Sequence, residues 1–82
     1  MTVPNVLRHE GWRFFFYSNE GLPRETPHVH VRGPAGEAKF WLEPAVSLAD
    51  SDGLDARTLR TLAAVVDRHR AELLRSWHDY FA

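Results

Sequence analysis

The stretch Pro27-His28-Val29-His30-Val31 alternates strictly between polar and apolar residues, which is the period of a β-strand. Successive side chains of a strand point to opposite faces, so Val29 and Val31 share one face. His28 and His30 share the other face. Their backbone positions are roughly 6.5–7 Å apart, from a rise of about 3.3 Å per residue. That spacing suits two imidazoles that flank a phosphate or bind one metal ion.

Segments on both sides of this strand are predicted to form strands as well. Residues 12–18 (WRFFFYS) are mostly aromatic and contain neither glycine nor proline, a composition enriched in strands. Residues 37–43 follow the glycine-rich connection 33–36, which predicts a hairpin. Pro4 cannot donate to a ladder, so the first strand is expected at an edge. The predicted strands lie within 3–8, 12–18, 28–32 and 37–43, while 45–49 fits either a further edge strand or a helical turn.

The C-terminal third of the chain is predicted to form one long helix. Residues 50–53 (DSDG) indicate a turn, and Asp55 is a good N-cap. From about 56 to 80 there is neither glycine nor proline, and apolar residues recur at helical spacing. This stripe consists of Leu59, Leu62, Val66, Leu73, Trp77 and Tyr80.

An apolar helix stripe needs an apolar surface to cover. The strand pattern provides one sheet face of suitable character, built from Trp12, Phe14, Phe16, Val29, Val31, Phe40 and Leu42. The predicted fold class is therefore α+β, a small antiparallel β-meander of three to five strands with one long C-terminal helix packed across one face. At 82 residues the chain is expected to form a single domain over 1–82.

The composition narrows the functional classes. With no cysteine, the chain has neither a disulfide nor a thiolate metal site. It has no apolar run that could span a membrane and no signal peptide, so a cytoplasmic protein without a membrane partner is expected. The net charge of −1 argues against a generic polyanion binder. However, nine of the ten basic residues are arginine, the side chain that binds phosphate or carboxylate bidentately.

The sheet face opposite the predicted core carries the chemically interesting side chains. One interpretation is phosphodiester cleavage without a metal, with His28 and His30 as acid and base and Lys39 or Arg13 stabilising the charged transition state. Aromatic side chains would then stack on the bases of single-stranded RNA. The predicted catalytic residues are His28, His30 and Lys39, and the predicted binding residues are Arg13, Tyr17, Arg32 and Trp41.

Two other interpretations of this face stay open. It fits a non-catalytic interface, with a partner protein or in a homodimer, because large aromatics on a second sheet face are often buried by association. It also fits a metal site, in which the two histidines are joined by Glu37 or Glu20 as a third ligand. No ligand set stands out, and no cofactor is expected.

Four blocks of the sequence resemble an uncharacterised family. They are RFFFYSNE (13–20), PHVHV (27–31), AKFWL (38–42) and SWHDYF (76–81). Over nearly its whole length the chain resembles short prokaryotic proteins classed as a domain of unknown function. Members of this family are often encoded beside another small protein, in arrangements that resemble toxin–antitoxin modules. The resemblance therefore implies a small partner protein encoded nearby, with no mechanism attached.

Overall fold

The fold is a five-stranded antiparallel sheet with two helices, seen in a computed structural model that describes residues 5–17 and 25–81. Each strand pairs with the next along the chain, so the sheet is a simple meander. The α+β fold class predicted from the sequence is confirmed. The elements are β1 (Asn5–His9), β2 (Trp12–Phe15), β3 (His28–Gly33), β4 (Gly36–Trp41), β5 (Ser47–Asp52), α1 (Ala56–Arg68) and α2 (Arg70–Phe81).

Tight connections join β1 to β2 and β3 to β4, where glycine predicted them. Glu10 and Gly11 link β1 to β2 with positive φ angles of 46° and 86°, as the two-residue type I′ hairpin requires. At the start of β4, a Cβ on Gly36 would overlap the carbonyl oxygen of Asp52, so glycine is needed where β4 and β5 approach each other. These hairpins fix the register of the central strands.

Some strand boundaries differ from the prediction: β2 ends at Phe15 and β4 at Trp41, short of the predicted ends at 18 and 43. Residues 3 and 4 of the predicted first strand, and residue 18 of the second, lie outside the described residues. The undecided segment 45–49 contributes to β5. The turn predicted over 50–53 is wrong, because Asp50–Asp52 belong to β5 and the chain leaves the strand only at Gly53. Aspartate is unfavourable in strands in general, but in this edge strand the carboxylates stay in water.

The predicted long helix is two helices, α1 and α2, separated by one residue. His69 has φ −104° and ψ 14°, and its N–H is shared between the carbonyl oxygens of Val65 and Val66. Next to it, Arg70 donates from Nε to the Leu42 carbonyl oxygen at 2.6 Å and from Nη2 to that of Pro44 at 3.2 Å. Arg70 thus ties the start of α2 to the end of β4. Neither glycine nor proline marks this break.

The helices cover one face of the sheet and form the core with it. On the sheet face that the helices cover, six of the seven predicted residues are buried and Ala38 joins them, whereas Trp12 is half-buried and packs against the core. On the helices, Leu62, Val66, Leu73 and Trp77 are buried as predicted, and Val65 joins them. Tyr80 is 41% exposed, so its place in the stripe is wrong; Phe81, four residues after Trp77, packs on the core instead. Neither helix of the described residues is long and apolar enough to cross a membrane.

Candidate functional site

The candidate site lies on the sheet face opposite the core, here called the open face. Strand register decides which side chains share it, because directly paired residues of antiparallel strands project to the same side. Phe15 pairs with His30, and His30 pairs with Lys39. Lys39 in turn pairs with Asp50 of β5. The sheet therefore brings an aromatic ring, an imidazole, an ammonium and a carboxylate into one row across four strands.

His28 is the buried member of the histidine pair. Its side chain is 0% exposed, and Nδ1 lies 2.9 Å from the carbonyl oxygen of Thr26. The ring centroids of Trp41 and Trp77 are 5.6 Å and 4.9 Å from that of His28. One indole belongs to β4 and the other to α2, so the imidazole is enclosed from both sides. In this structure His28 has no surface that a substrate could touch.

His30 is the accessible member of the pair. It is half-buried, with its ring stacked on Phe15 at 5.6 Å and edge-on to Tyr17 at 4.7 Å. The His28 ring lies behind it at 5.2 Å and nearly perpendicular. These three rings restrict the orientation of the His30 imidazole while one side of it faces solvent.

Lys39 and Trp41 lie beside the histidines on β4. The Lys39 ammonium is 4.5 Å from the Trp41 ring centroid, within the range of a cation–π interaction. Both side chains are half-buried. An ammonium supported in this way adds positive charge to the open face near His30, since those two residues are cross-strand partners.

Arg32 joins Tyr17 to Glu37. Its Nη2 donates to the Tyr17 hydroxyl at 3.2 Å and to Glu37 Oε2 at 3.1 Å. The hydrogen bond to the Glu37 carboxylate is the main cause of a raised Arg32 pKa, with the charges of Tyr17 and Glu37 also contributing. The guanidinium also lies 5.6 Å from the Phe15 ring centroid. Arg32 therefore keeps its positive charge at every accessible pH and orients the phenol.

A cleft of about 220 Å³ opens between β3, β4 and β5. It brings together three of the predicted site residues, Tyr17, His30 and Lys39, whereas His28 is enclosed behind it. The contribution of β5 is not predicted from the sequence, because 50–53 has the composition of a turn. The cleft is lined by Tyr17, His30, Glu37, Ala38, Lys39, Asp50 and Ser51.

The residues proposed as metal ligands are not assembled into a site in the part of the chain that the structure describes. No group of three or more histidines, aspartates or glutamates suited to a metal ion occurs among residues 5–17 and 25–81. Glu37 is engaged by Arg32, and Glu20 lies outside the described residues. Metal binding to the histidine pair stays a prediction.

Comparison with known proteins identifies the family. The chain belongs to the family DUF4160, a domain of unknown function, whose sequence profile matches residues 11–78. The match contains the whole histidine strand and most of the helical region. No curated protein and no solved structure matches the chain.

Proposed function

We propose that this protein is one component of a toxin–antitoxin-like pair and that its open face binds single-stranded RNA and cleaves it. The observation that carries the proposal is the cleft, which brings together an accessible imidazole from β3, an ammonium from β4 and a phenol from the segment after β2. Pairing with a second small protein is what the family resemblance implies. The chemistry is argued from the open face.

The open face has the features that single-stranded RNA recognition requires. Bases that are unstacked from their neighbours bind on aromatic side chains, while cations bind the backbone. Tyr17 and Trp41 are half-buried and retain exposed ring surface. Arg32 and Lys39 lie next to them. Stacking tolerates any base, so this arrangement favours single strands without strict sequence preference.

His30 is the group that we assign to proton transfer. As general base it would take the proton of a ribose 2′-hydroxyl, whose oxygen then attacks the adjacent phosphorus. The bond from phosphorus to the 5′-oxygen breaks, and the Tyr17 hydroxyl, which lines the same cleft, would return a proton to that leaving oxygen. The products are a 2′,3′-cyclic phosphate and a 5′-hydroxyl. Lys39 would stabilise the negative charge that develops on the phosphoryl oxygens.

His28 takes a different role from the one predicted. An acid–base pair needs both groups within hydrogen-bond distance of the substrate, and His28 is enclosed by Trp41 and Trp77. Its ring contacts that of His30 at 5.2 Å. We assign His28 to positioning the His30 ring rather than to contact with RNA.

The test of this function is RNA cleavage by the purified protein, free of any partner, in the presence of a chelator. We expect a labelled single-stranded RNA to be cut to cyclic-phosphate ends. His30→Ala should lower the rate by roughly 100-fold or more, the usual scale of general acid–base catalysis. His78→Ala is the matched control, because that histidine is exposed on α2.

The alternative function, a protein interface on the same face, gives a different pattern. If the protein binds RNA without cutting it, and the His30→Ala variant binds RNA as tightly as wild type, catalysis is excluded. The open face is a protein interface if the protein binds no RNA and Trp41→Ala abolishes a complex. That complex would form with the small protein encoded nearby or with a second copy of this chain. Activity that disappears in chelator and returns with zinc would instead support the metal hypothesis.

A further inference from the structure

Three arginines form a row across neighbouring strands of the open face. Arg8 of β1 pairs with Arg13 of β2, and Arg13 pairs with Arg32 of β3. Directly paired residues project to the same side of an antiparallel sheet, so all three side chains belong to the open face. The row spans two inter-strand spacings, roughly 9.5 Å at about 4.8 Å each.

Folding alone does not favour this row. Like charges directly opposite each other on paired strands are destabilising, and here two successive pairs carry them. Arg32 makes an exposed ion pair with Glu37 at 3.1 Å. In the described part of the chain, neither Arg8 nor Arg13 makes an ion pair. Arg8 is exposed and Arg13 half-buried, so both guanidinium groups are accessible to an anion.

From these contacts we propose that Arg8, Arg13 and Arg32 bind successive phosphates of the single-stranded RNA backbone. The inference rests on the proposed RNA function and adds Arg8, which the sequence analysis did not single out, to the site. Arginine binds phosphate bidentately and keeps its charge. Three such groups in a line match a linear polyanion better than an isolated phosphate ion.

The sign of the charge reverses further along the same row. Arg32 pairs with Glu37, and Glu37 pairs with Asp52 of β5. Carboxylates repel phosphate, so the phosphates other than the one that is cleaved are confined to the side of the sheet formed by β1, β2 and β3. The cleft beside Glu37 and Asp50 then receives the base and the ribose, with the phosphate that is cleaved held on its Lys39 side. The phosphate at Arg32 is the one nearest to His30, which lies two residues away on the same strand.

The experiment is the salt dependence of binding to a labelled 2′-O-methyl oligouridylate. This probe lacks the attacking hydroxyl, so it reports binding without cleavage. For single strands, a plot of the logarithm of the binding constant against the logarithm of the salt concentration has a slope of about −0.7 per neutralised phosphate. Three arginines that each bind one phosphate should therefore contribute about −2 to this slope. Arg8→Gln should reduce the slope by about 0.7, and Arg8→Gln/Arg13→Gln by about 1.4. Arg60→Gln, exposed on α1, is the control and should leave it unchanged.

A stability measurement separates a binding role from a structural one. Removing a like-charge neighbour should leave the melting temperature of Arg8→Gln unchanged or higher at low salt, whereas loss of a structural contact would lower it. Two results would show that the arginine row is not the phosphate site. In one, the probe binds and Arg8→Gln keeps the wild-type salt slope; in the other, Arg8→Gln melts at a lower temperature than wild type. The proposed RNA function would survive either result. If wild type binds no probe, both proposals fail.

Discussion

The two faces of this sheet are buried in different ways. On the face covered by the helices, the inward side chains are apolar and almost fully enclosed, as Phe14, Val31 and Phe40 illustrate. On the open face, Phe15 is 2% exposed, and its neighbours are Tyr17, His30 and Arg32. Burial there comes from polar and aromatic side chains on adjacent strands. The covered face therefore holds the fold together, whereas the charged groups of the open face remain available to a ligand.

The same contrast occurs within one strand. His28 and His30 project to the same side of β3, two residues apart, yet only His30 lines the cleft. The difference arises at the end of the sheet, where Trp77 of α2 reaches His28. A helix that belongs to the covered face thereby encloses one residue of the open face. Substitutions on the two faces should consequently affect different properties.

The largest expected effect is on the covered face. Val66 is completely buried between α1 and the sheet. Val66→Asp would place an uncompensated carboxylate there, at a cost of about 3–5 kcal/mol, a large share of the 5–15 kcal/mol typical of a small domain. Chemical denaturation measures this loss. Ala64→Asp introduces the same side chain at an exposed position of the same helix and should change the free energy of unfolding little; equal losses in both variants would contradict the packing.

The second-largest expected effect is a difference in stability between substitutions of the two histidines. His28→Ala leaves a cavity between two indole rings and should lower the free energy of unfolding by about 2–4 kcal/mol, as other large-to-small core substitutions do. His30→Ala should cost less than about 1 kcal/mol, because that ring is half-exposed. His28→Phe, which keeps the aromatic volume, should recover part of the loss. Equal destabilisation by the two alanine variants in thermal melts would show that both rings are structural.

The smallest expected effect concerns the start of α1, one of the two helices that cover the sheet. The Asp55 carboxylate accepts a hydrogen bond from the Thr58 backbone N–H at 2.8 Å, and this bond is the main cause of its lowered pKa. A carboxyl pKa that is lower in the folded state stabilises the fold above the unfolded pKa, near 4. That stabilisation is lost as pH falls through the lower folded value. Asp55→Ala should lower the melting temperature by a few degrees at pH 7.

A matched substitution isolates the charge of this cap. Asp55→Asn keeps the capping geometry but does not titrate, so its melting temperature should approach that of wild type as the pH is lowered through the folded pKa. A constant difference between the two proteins from pH 7 to pH 2 would show that the Asp55 charge contributes nothing. Because tertiary packing holds the helix in place, we expect the whole effect to remain well below that of Val66→Asp.

Much of the fold was predictable because strand and helix periodicity are local properties. The alternation through 12–18, 28–32 and 37–43 correctly separated the core side chains from the predicted site residues. Asp55 was recognised as an N-cap from its position before an apolar stripe, and it is one. These predictions depend on side chains a few residues apart, whose relative directions are fixed by the backbone conformation.

Other features depend on residues that are distant in the sequence. The helix break at His69 accompanies the hydrogen bonds from Arg70 to Leu42 and Pro44, which lie in the connection between β4 and β5. β5 forms where its carboxylates can remain solvated beside β4. The unequal environments of His28 and His30 depend on where α2 places Trp77. Sequence alternation assigned both imidazoles to one face, but only the packing of α2 decided that one is enclosed and the other exposed, because burial is set by every element that meets at a point and not by the strand itself.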